Sequence, residues 1–486
     1  MMHLALQLYH HLPAPAQTLA ATLVGLSERW WRYGPGSRQL TQQAREREHW
    51  SLAQWDAWRA QRLAFVLHRA ATRVPYYRDY WTGRRRRGDH ASWDLLENWP
   101  ILEKESVRQQ PRAFVADDRS VRLMSHLRTS GTTGTPLDVW RTRETIRTLY
   151  ALGLARTRGW HGITLHHRRA MLGGKMVTAV SRRRPPFWVW NAGLQQLYMS
   201  SYHLAPDLIP QYLDALVRYR VQYLVGYTSS LHALAQEALR LGRRDLKMIV
   251  ALTNAEPLYD HQREAIGAAF QCPVRETYGM GENVAAATEC EAGRLHQSPE
   301  VGLIEVFDGD HPAPRGAFGE FICTGLLNPD MPFIRYRLAD CGHLPADDDP
   351  CPCGRTLPLI ASLDGRTNDL LLTRDGRRVA WMNPVLYGIP VRQAQFVQES
   401  LDRILVRCVA GPDFTAESKQ TIIDRVRSRM GDVHVVLQEV TEIPRSANGK
   451  VRSMICAVPA AEREAVLRGQ RDRLPLPASH TAPSPP

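Results

Sequence analysis

Between residues 14 and 31 apolar side chains return every three or four positions (Leu19, Leu23, Leu26, Trp30), and the same spacing runs from 50 to 74 through Leu52, Trp55, Trp58, Leu63 and Val66. Residues at this interval share one side of a 3.6-residue helix. The pattern therefore predicts helices that wrap a larger domain. Helical spacing returns over 142–157, 208–219 and from about Ser229, while the short continuous apolar runs 223–227 and 248–252 read as buried strands. Residues 169–180 contain Gly173-Gly174, a pair that lets a helix and a sheet approach closely. Strands alternating with helices imply parallel pairing, with ligands gathered beyond the strand carboxyl ends. From 302 to 324 the pattern changes to short strands separated by Gly, Pro and Asp turns, as in a β-rich subdomain. Past residue 365 the runs 370–373, 404–409 and 433–437 read as strands around a helix at 417–430, a small α+β domain.

The chain is expected to be α/β, with an N-terminal helical wrap over 1–90, a large domain over 91–365, a small C-terminal domain over 366–460 and a tail over 461–486. From Arg473 on, the tail has almost nothing to bury and is expected to be disordered. A length of 486 residues exceeds one core and suits this large-plus-small division.

Composition narrows the class. Apolar residues at 44% and charged residues at 23% are ordinary for a globular protein. A net charge of +13 suits nucleic acid, an anionic membrane surface, or anionic small molecules such as ATP and CoA. No nucleic-acid-binding motif accompanies it, so no nucleic acid partner is expected. Trp30-Trp31 beside several arginines is compatible with weak peripheral membrane contact, although aromatic residues on such helices usually face the core. The basic run at 83–88 reads as a solvated loop, with an anionic headgroup or a CoA phosphate as alternative guests. Eight cysteines in this length do not make a disulfide framework. With neither a signal-peptide pattern at the start nor an apolar run of about 20 residues, a cytoplasmic location is expected. Oligomeric state is not legible.

The candidate chemistry centres on Arg128-Thr129-Ser130-Gly131-Thr132-Thr133-Gly134-Thr135-Pro136-Leu137, which follows an alternating segment at 121–124. Two glycines and five hydroxyls in so short a loop offer backbone N–H groups and small donors to a polyanion, for which a triphosphate is the natural guest. The loop lacks the Gly-Lys-Ser/Thr close of a Walker motif and the spacing of a dinucleotide fingerprint. A surface turn is the plain alternative.

Five further motifs follow in order: Thr253-Asn254-Ala255-Glu256-Pro257-Leu258, Glu276-Thr277-Tyr278-Gly279-Met280-Gly281-Glu282, Arg335-Tyr336-Arg337-Leu338-Ala339-Asp340, Gly365-Arg366-Thr367-Asn368-Asp369 and Pro444-Arg445-Ser446-Ala447-Asn448-Gly449-Lys450. Together with the loop, they resemble the motif set of adenylate-forming enzymes, the acyl-CoA synthetase superfamily. Arg335-Tyr336-Arg337 and Cys351-Pro352-Cys353-Gly354-Arg355 are most similar to the phenylacetate-CoA ligase branch and its relatives in capsular polysaccharide gene clusters. The resemblance runs from about Val74 to about Ile455.

The resemblance implies the adenylate-forming fold and a set of roles. Thr129, Ser130, Gly131, Thr132, Thr133 and Gly134 would cradle phosphate; Asn254, Ala255 and Glu256 would line the adenine site; Tyr278 and Gly279 would flank the adenine ring. Asp340 would hold the ribose hydroxyls, Arg366 would add a ribose or phosphate contact, and Glu282 would bind Mg²⁺, a hard ion on a hard oxygen. Lys450 would meet the α-phosphate and the substrate carboxylate as negative charge develops. Tyr202, His203 and Tyr227 are candidate walls of the acyl pocket, and Asn368 is the candidate interdomain hinge. The chain departs from the family pattern at Thr135, where many members carry Lys, and at Gly281, where a hydroxyl is common. Cys290, His296, Cys351 and Cys353 form a soft ligand set that suits structural Zn²⁺, against which stands the unusually tight spacing of Cys351 and Cys353.

The implied activity joins a carboxylic acid to ATP and passes the acyl group to CoA. Transfer to an amine or a hydroxyl, transfer of AMP itself, and a non-catalytic binding protein on the same fold remain alternatives.

Overall fold

The computed structural model describes residues 9, 12–129, 137–174, 177–178, 182–205, 207–347, 350–366, 371–375, 378–379, 382–386, 388–445 and 451–471. They divide into two compact units, the first within Met1–Leu363 and the second within Asp364–Arg445 and from Val451 onward.

The first unit opens with helices Ala14–Tyr33, Ser37–Arg47, Leu52–Arg73 and Pro75–Arg86. Leu52–Arg73 begins on a capping box in which the Gln54 N–H donates to Ser51 Oγ and the Ser51 N–H donates to Gln54 Oε1. It buries Trp55, Val66, Leu67, Ala70 and Ala71; of the residues its spacing named, Trp55 and Val66 are buried, Trp58 and Leu63 are half-buried and Leu52 is exposed. Ala14–Tyr33 does the opposite: Leu19, Leu23, Leu26 and Trp30 are exposed, and Gln17 and Gly25 are buried. Apolar periodicity locates this helix, but its apolar side faces away from the core. The basic run at 83–88 is also different from expectation. It is mostly the last turn of Pro75–Arg86, where Arg84 lies over Trp81 and pairs with Asp89, and Arg85 donates to the carbonyls of Asp89 and Ala91.

Strands β1 (Ser125–Arg128) and β2 (Asp138–Arg141) form a hairpin, displaced from the alternating run at 121–124, which is a 3₁₀ turn with Leu123 on the surface. There follow β3 (Arg169–Gly173), β4 (Trp188–Asn191), β5 (Gln196–Ser200), β6 (Tyr223–Tyr227), β7 (Ala251–Asn254), β8 (Val274–Gly279), β9 (Ala286–Glu289) and β10 (Leu295–Gln297). Next come β11 (Gly302–Asp308), β12 (His311–Pro312), β13 (Phe318–Gly325), β14 (Tyr336–His343), β15 (Leu359–Ile360) and β16 (Ser362–Arg366). A nine-stranded sheet has the order β15-β10-β9-β8-β7-β6-β3-β5-β4, and a five-stranded antiparallel sheet has the order β12-β11-β13-β14-β16. Within the first sheet the neighbours β8-β7-β6-β3-β5 are parallel, as the alternation of strands and helices requires. β7 starts at Ala251 rather than at Met248, because residues 248–250 approach the sheet as a loop.

Helices Ile209–Arg218, Thr228–Arg240 and Asp260–Phe270 supply Leu213, Leu216, Leu231, Leu234, Ala238, Ile266 and Phe270 to the core against the parallel strands. A second core joins helix Leu52–Arg73 to the hairpin and the five-stranded sheet through Tyr77, Trp99, Phe114, Phe321 and Phe333.

In the second unit, β17 (Leu371–Leu372) pairs with β18 (Arg378–Val379). β19 (Val391–Ser400), β20 (Arg403–Ala410), β21 (His434–Glu439) and β22 (Met454–Cys456) form a sheet of order β21-β20-β19-β22. Helix Ala416–Met430 buries Ile422, Val426 and Met430 in this unit's core. Helix Ala460–Arg471 occupies the start of the expected tail, and residues 472–486 lie outside the described residues. Among the described residues no helix is long and apolar enough to cross a membrane.

Candidate active site

The parallel strands β3, β5, β6, β7 and β8 end side by side. Register pairs Gly173 with Ser200, Tyr227 with Asn254, and Thr253 with Glu276. One end of the sheet therefore collects five stretches singled out in the sequence: Gly173-Gly174, Tyr202-His203, Tyr227, Asn254 to Glu256, and Glu276 to Glu282. Thr277 Oγ1 donates to the Thr253 carbonyl at 2.8 Å and ties β8 to β7 where both motifs begin.

At the hairpin, the Thr129 N–H donates to the Leu137 carbonyl at 2.8 Å, and Thr129 Oγ1 accepts the Leu137 N–H at 2.9 Å. Thr129 thus closes the neck of the loop; Ser130, Gly131, Thr132, Thr133 and Gly134 lie outside the described residues. A Cβ on Gly281 would sit 3.0 Å from Leu127 Cδ2 and 3.2 Å from Thr129 Cγ2. This close fit brings the neck of the loop against the residue before Glu282.

Tyr278 at the end of β8 donates its phenol to Asp340 Oδ2 on β14, at 2.8 Å. The neighbouring arginines are taken up by the framework. Arg335 donates to the carbonyls of Trp99 and Glu97 and lies over Phe307, while Arg337 pairs with Glu103, Glu320 and Asp310. Their function is to fix the strand that presents Asp340.

Four non-glycine residues in or beside these motifs hold positive φ: Ala255 at 62°, Asn283 at 56°, Arg335 at 49° and Ala339 at 63°. Such conformations cost an L-residue free energy and concentrate at functional sites. Neither Ala carries a side chain that favours this region, so no residue-type signal in the sequence foretells it.

Glu256 has a structural engagement. Its carboxylate accepts the Ser229 N–H at 2.8 Å and Ser229 Oγ at 3.1 Å, and so caps helix Thr228–Arg240 from the neighbouring loop. Burial is the main cause that raises the pKa of the phenols of Tyr202, in the 3₁₀ turn after β5, and Tyr227, at the end of β6, and Tyr202 adds to the rise at Tyr227. Gly173 faces the Tyr227 ring, with its Cβ position 3.9 Å from Cζ. His203 is 2% exposed and stacks on Phe187 at 5.1 Å, which places its ring in the core rather than on an open wall.

Sequence reasoning missed Glu276. Burial, reinforced by Glu289, pushes its carboxyl up to about 7. Glu289 itself accepts the Glu276 N–H at 2.7 Å and is bidentate with Arg263. Arg366 ends β16, whereas Asn368 and Lys450 lie outside the described residues.

Away from the strand ends, Cys290, His296, Cys351 and Cys353 bring one ligand atom each to within 4.8 Å of one another. Cys290 Sγ is 3.6 Å from Cys351 Sγ, and Cys353 Sγ is 3.3 Å from His296 Nε2. A tetrahedron of Zn–S bonds of about 2.3 Å has edges of about 3.7 Å, close to the Cys290–Cys351 separation, so the donor set suits zinc. His296 Nδ1 lies 3.0 Å from the Leu357 carbonyl; donation there leaves Nε2 as the ligand, the usual arrangement around a metal-bound imidazole. Burial, helped by Cys290 and Cys353, pushes the Cys351 thiol up to about 12. The Cys353 thiol is lowered despite its burial, through hydrogen bonds from Arg355. Arg355 in turn reaches Glu48 and Glu291 and covers the Trp160 ring at 4.3 Å.

The chain belongs to the AMP-binding enzyme family, whose pattern matches residues 57–325, and residues 371–457 match the CapK C-terminal domain. It is 28% identical over 305 residues to Protein CapK of Staphylococcus aureus, spanning 61% of this chain and 66%, just under two thirds, of that protein. It is 24% identical over 439 residues to phenylacetate-coenzyme A ligase of Thermus thermophilus, spanning 81% and 95% of the two chains. Among solved structures, 2-hydroxyisobutyryl-CoA ligase in complex with 2-HIB-AMP superposes with a TM-score of 0.67 at 19% identity, over 88% of this chain and 94% of that one. That likeness establishes the adenylate-forming fold expected from the motifs.

Proposed function

We propose that the protein activates a carboxylic acid with ATP and transfers the acyl group to the thiol of CoA. A carboxylate oxygen of the acid attacks the α-phosphorus, the bond to the bridging oxygen breaks, and pyrophosphate leaves. The CoA thiolate then attacks the acyl carbon, and AMP departs with the oxygen it shared with the acid. The observation that carries this reading is the Tyr278–Asp340 hydrogen bond at the end of the parallel strands. It sets an aromatic face for adenine and a carboxylate for ribose hydroxyls at a fixed spacing.

In this reading Thr129 and the loop after it receive phosphates, with Asn254 and Ala255 beside the adenine. Glu282 holds Mg²⁺, which supplies charge neutralisation at the phosphates. Lys450 stabilises the charge that develops in the transition state, and Arg366 adds a nucleotide contact. Tyr202 and Tyr227 face the acyl group, and Asn368 is the hinge between half-reactions. The four-residue Cys/His cluster holds structural zinc. A free-thiol state of all eight cysteines suits a cytoplasmic enzyme.

The relative in Staphylococcus aureus favours a second reading, in which the acyl group passes to an amine or hydroxyl in polysaccharide assembly. Pyrophosphate release across aryl, fatty and sugar acids, with and without CoA, separates the two. Turnover that CoA accelerates supports the first reading. An adenylated acid whose turnover ignores CoA favours the second, and no acid-dependent release refutes both.

A further inference from the structure

Helix Ala14–Tyr33 is amphipathic in the reverse sense from the rest of the fold. Its small and polar side packs on the protein: Thr22 Oγ1 accepts the Ala192 N–H at 3.2 Å, Arg29 donates to the Gly193 carbonyl at 3.2 Å, and Arg32 pairs with Glu28. Contact is flush, since a Cβ on Gly25 would fall 1.9 Å from Asn191 Oδ1. The other side carries Leu19, Leu23, Val24, Leu26 and Trp30, exposed at 62, 59, 57, 52 and 56%.

Leu19, Leu23, Leu26 and Trp30 follow one another at intervals of four, three and four, the seam of a coiled-coil helix rather than the broad stripe of one packed on a globular core. A helix lying on an anionic membrane would also carry Lys or Arg along its outward side. Here the cations Arg29 and Arg32 are engaged with Gly193 and Glu28, and the exposed positions are Pro15, Leu19, Leu23, Val24, Leu26, Ser27 and Trp30. The pattern calls for another helix with the same seam.

We propose that this face is the two-fold interface of a homodimer. The seam is symmetric about its midpoint: in an antiparallel pair Leu23 meets the partner's Leu26, and Leu19 meets the partner's Trp30, so one surface complements itself as an isologous contact must. Five half-exposed apolar side chains remove about 1,100 Å² from water in the pair, close to the lower bound of about 1,200 Å² for specific association. An interface at this small end of the range is expected to be reversible, so the oligomeric state is read against concentration.

Sedimentation of the full chain over a range of micromolar concentrations tests it. The expected species has twice the chain mass, and Leu23→Glu/Leu26→Glu is monomeric with unchanged circular dichroism and unchanged pyrophosphate release. Mixing that variant with Leu23→Lys/Leu26→Lys restores the dimer, because opposite charges meet only if the same patch lies on both sides. A wild type that stays monomeric throughout, or a dimer that survives the charged pair, overturns the proposal. So does a monomer that co-sediments with anionic lipid vesicles through this helix. The wild-type series decides the matter alone if the variants fail to fold.

Discussion

Replacing Tyr278 with Phe keeps the ring and removes only the phenol that holds Asp340. The lost bond is 2.8 Å long and ends on a carboxylate. Hydrogen bonds to charged groups contribute about 1.5–3 kcal/mol. Both side chains are partly open to solvent, which favours the lower end. About 1.5 kcal/mol is roughly a tenfold change in an equilibrium constant. If Asp340 grips ribose equally in the ground and transition states, the loss appears in KM for ATP and spares kcat. Steady-state pyrophosphate release with ATP varied at saturating acid should show KM raised about tenfold and kcat within about twofold of wild type. Tyr278→Phe added to Asp340→Ala should cost much less than the sum of the two single changes, since each removes the same bond. An unchanged KM for Tyr278→Phe, or a fall in kcat at constant KM, refutes the assignment of this pair to nucleotide binding.

Arg156 is 1% exposed and bidentate with Glu300 at 2.8 Å, so Arg156→Ala leaves that buried carboxylate with only the longer Arg47 contact at 3.7 Å and should cost about 3 kcal/mol in denaturant unfolding. Glu276 ionises less readily folded, near 7, than unfolded, near 4.5, so the native state holds the extra proton between these values. Its contribution to stability is therefore lost as pH rises from about 4.5 to about 7, by at most about 3 kcal/mol, and Glu276→Gln should be more stable than wild type at pH 8 but not at pH 4. Protein purified without a metal-binding tag should carry about one zinc per chain by elemental analysis, and Cys351→Ser/Cys353→Ser should lose it. Zinc well below stoichiometry, or zinc retained in that variant, removes the metal from the cluster.

Much of this fold follows from local pattern. β6 and helices Ile209–Arg218 and Ala416–Met430 come directly from apolar spacing, and the ordered motifs led to the family before any contact was seen. The orientation of helix Ala14–Tyr33 did not, because periodicity states that one side is apolar and is silent on what that side faces. Arg84 and Arg85 read as solvated because their stacking on Trp81 is a side-chain contact with no signature in composition. At the site, residue type announced Tyr278 and Asp340, but their bond spans 62 positions and exists only through the fold. Glu256 illustrates the converse: its motif suggested a nucleotide contact, and its carboxylate is spent on the helix beginning at Thr228. Glu276 passed unnoticed because its raised pKa arises from burial beside Glu289, a strand pairing that sequence spacing does not reveal.

The central claim is that the strand-end site forms an acyl-adenylate reversibly, and exchange of labelled pyrophosphate into ATP measures that step without a CoA acceptor. Exchange should require a carboxylic acid, proceed without CoA, and fall on the order of 10²-fold or more in Lys450→Ala, where a preorganised charge is removed. Exchange that ignores the acid, or that Lys450→Ala leaves intact, contradicts that claim.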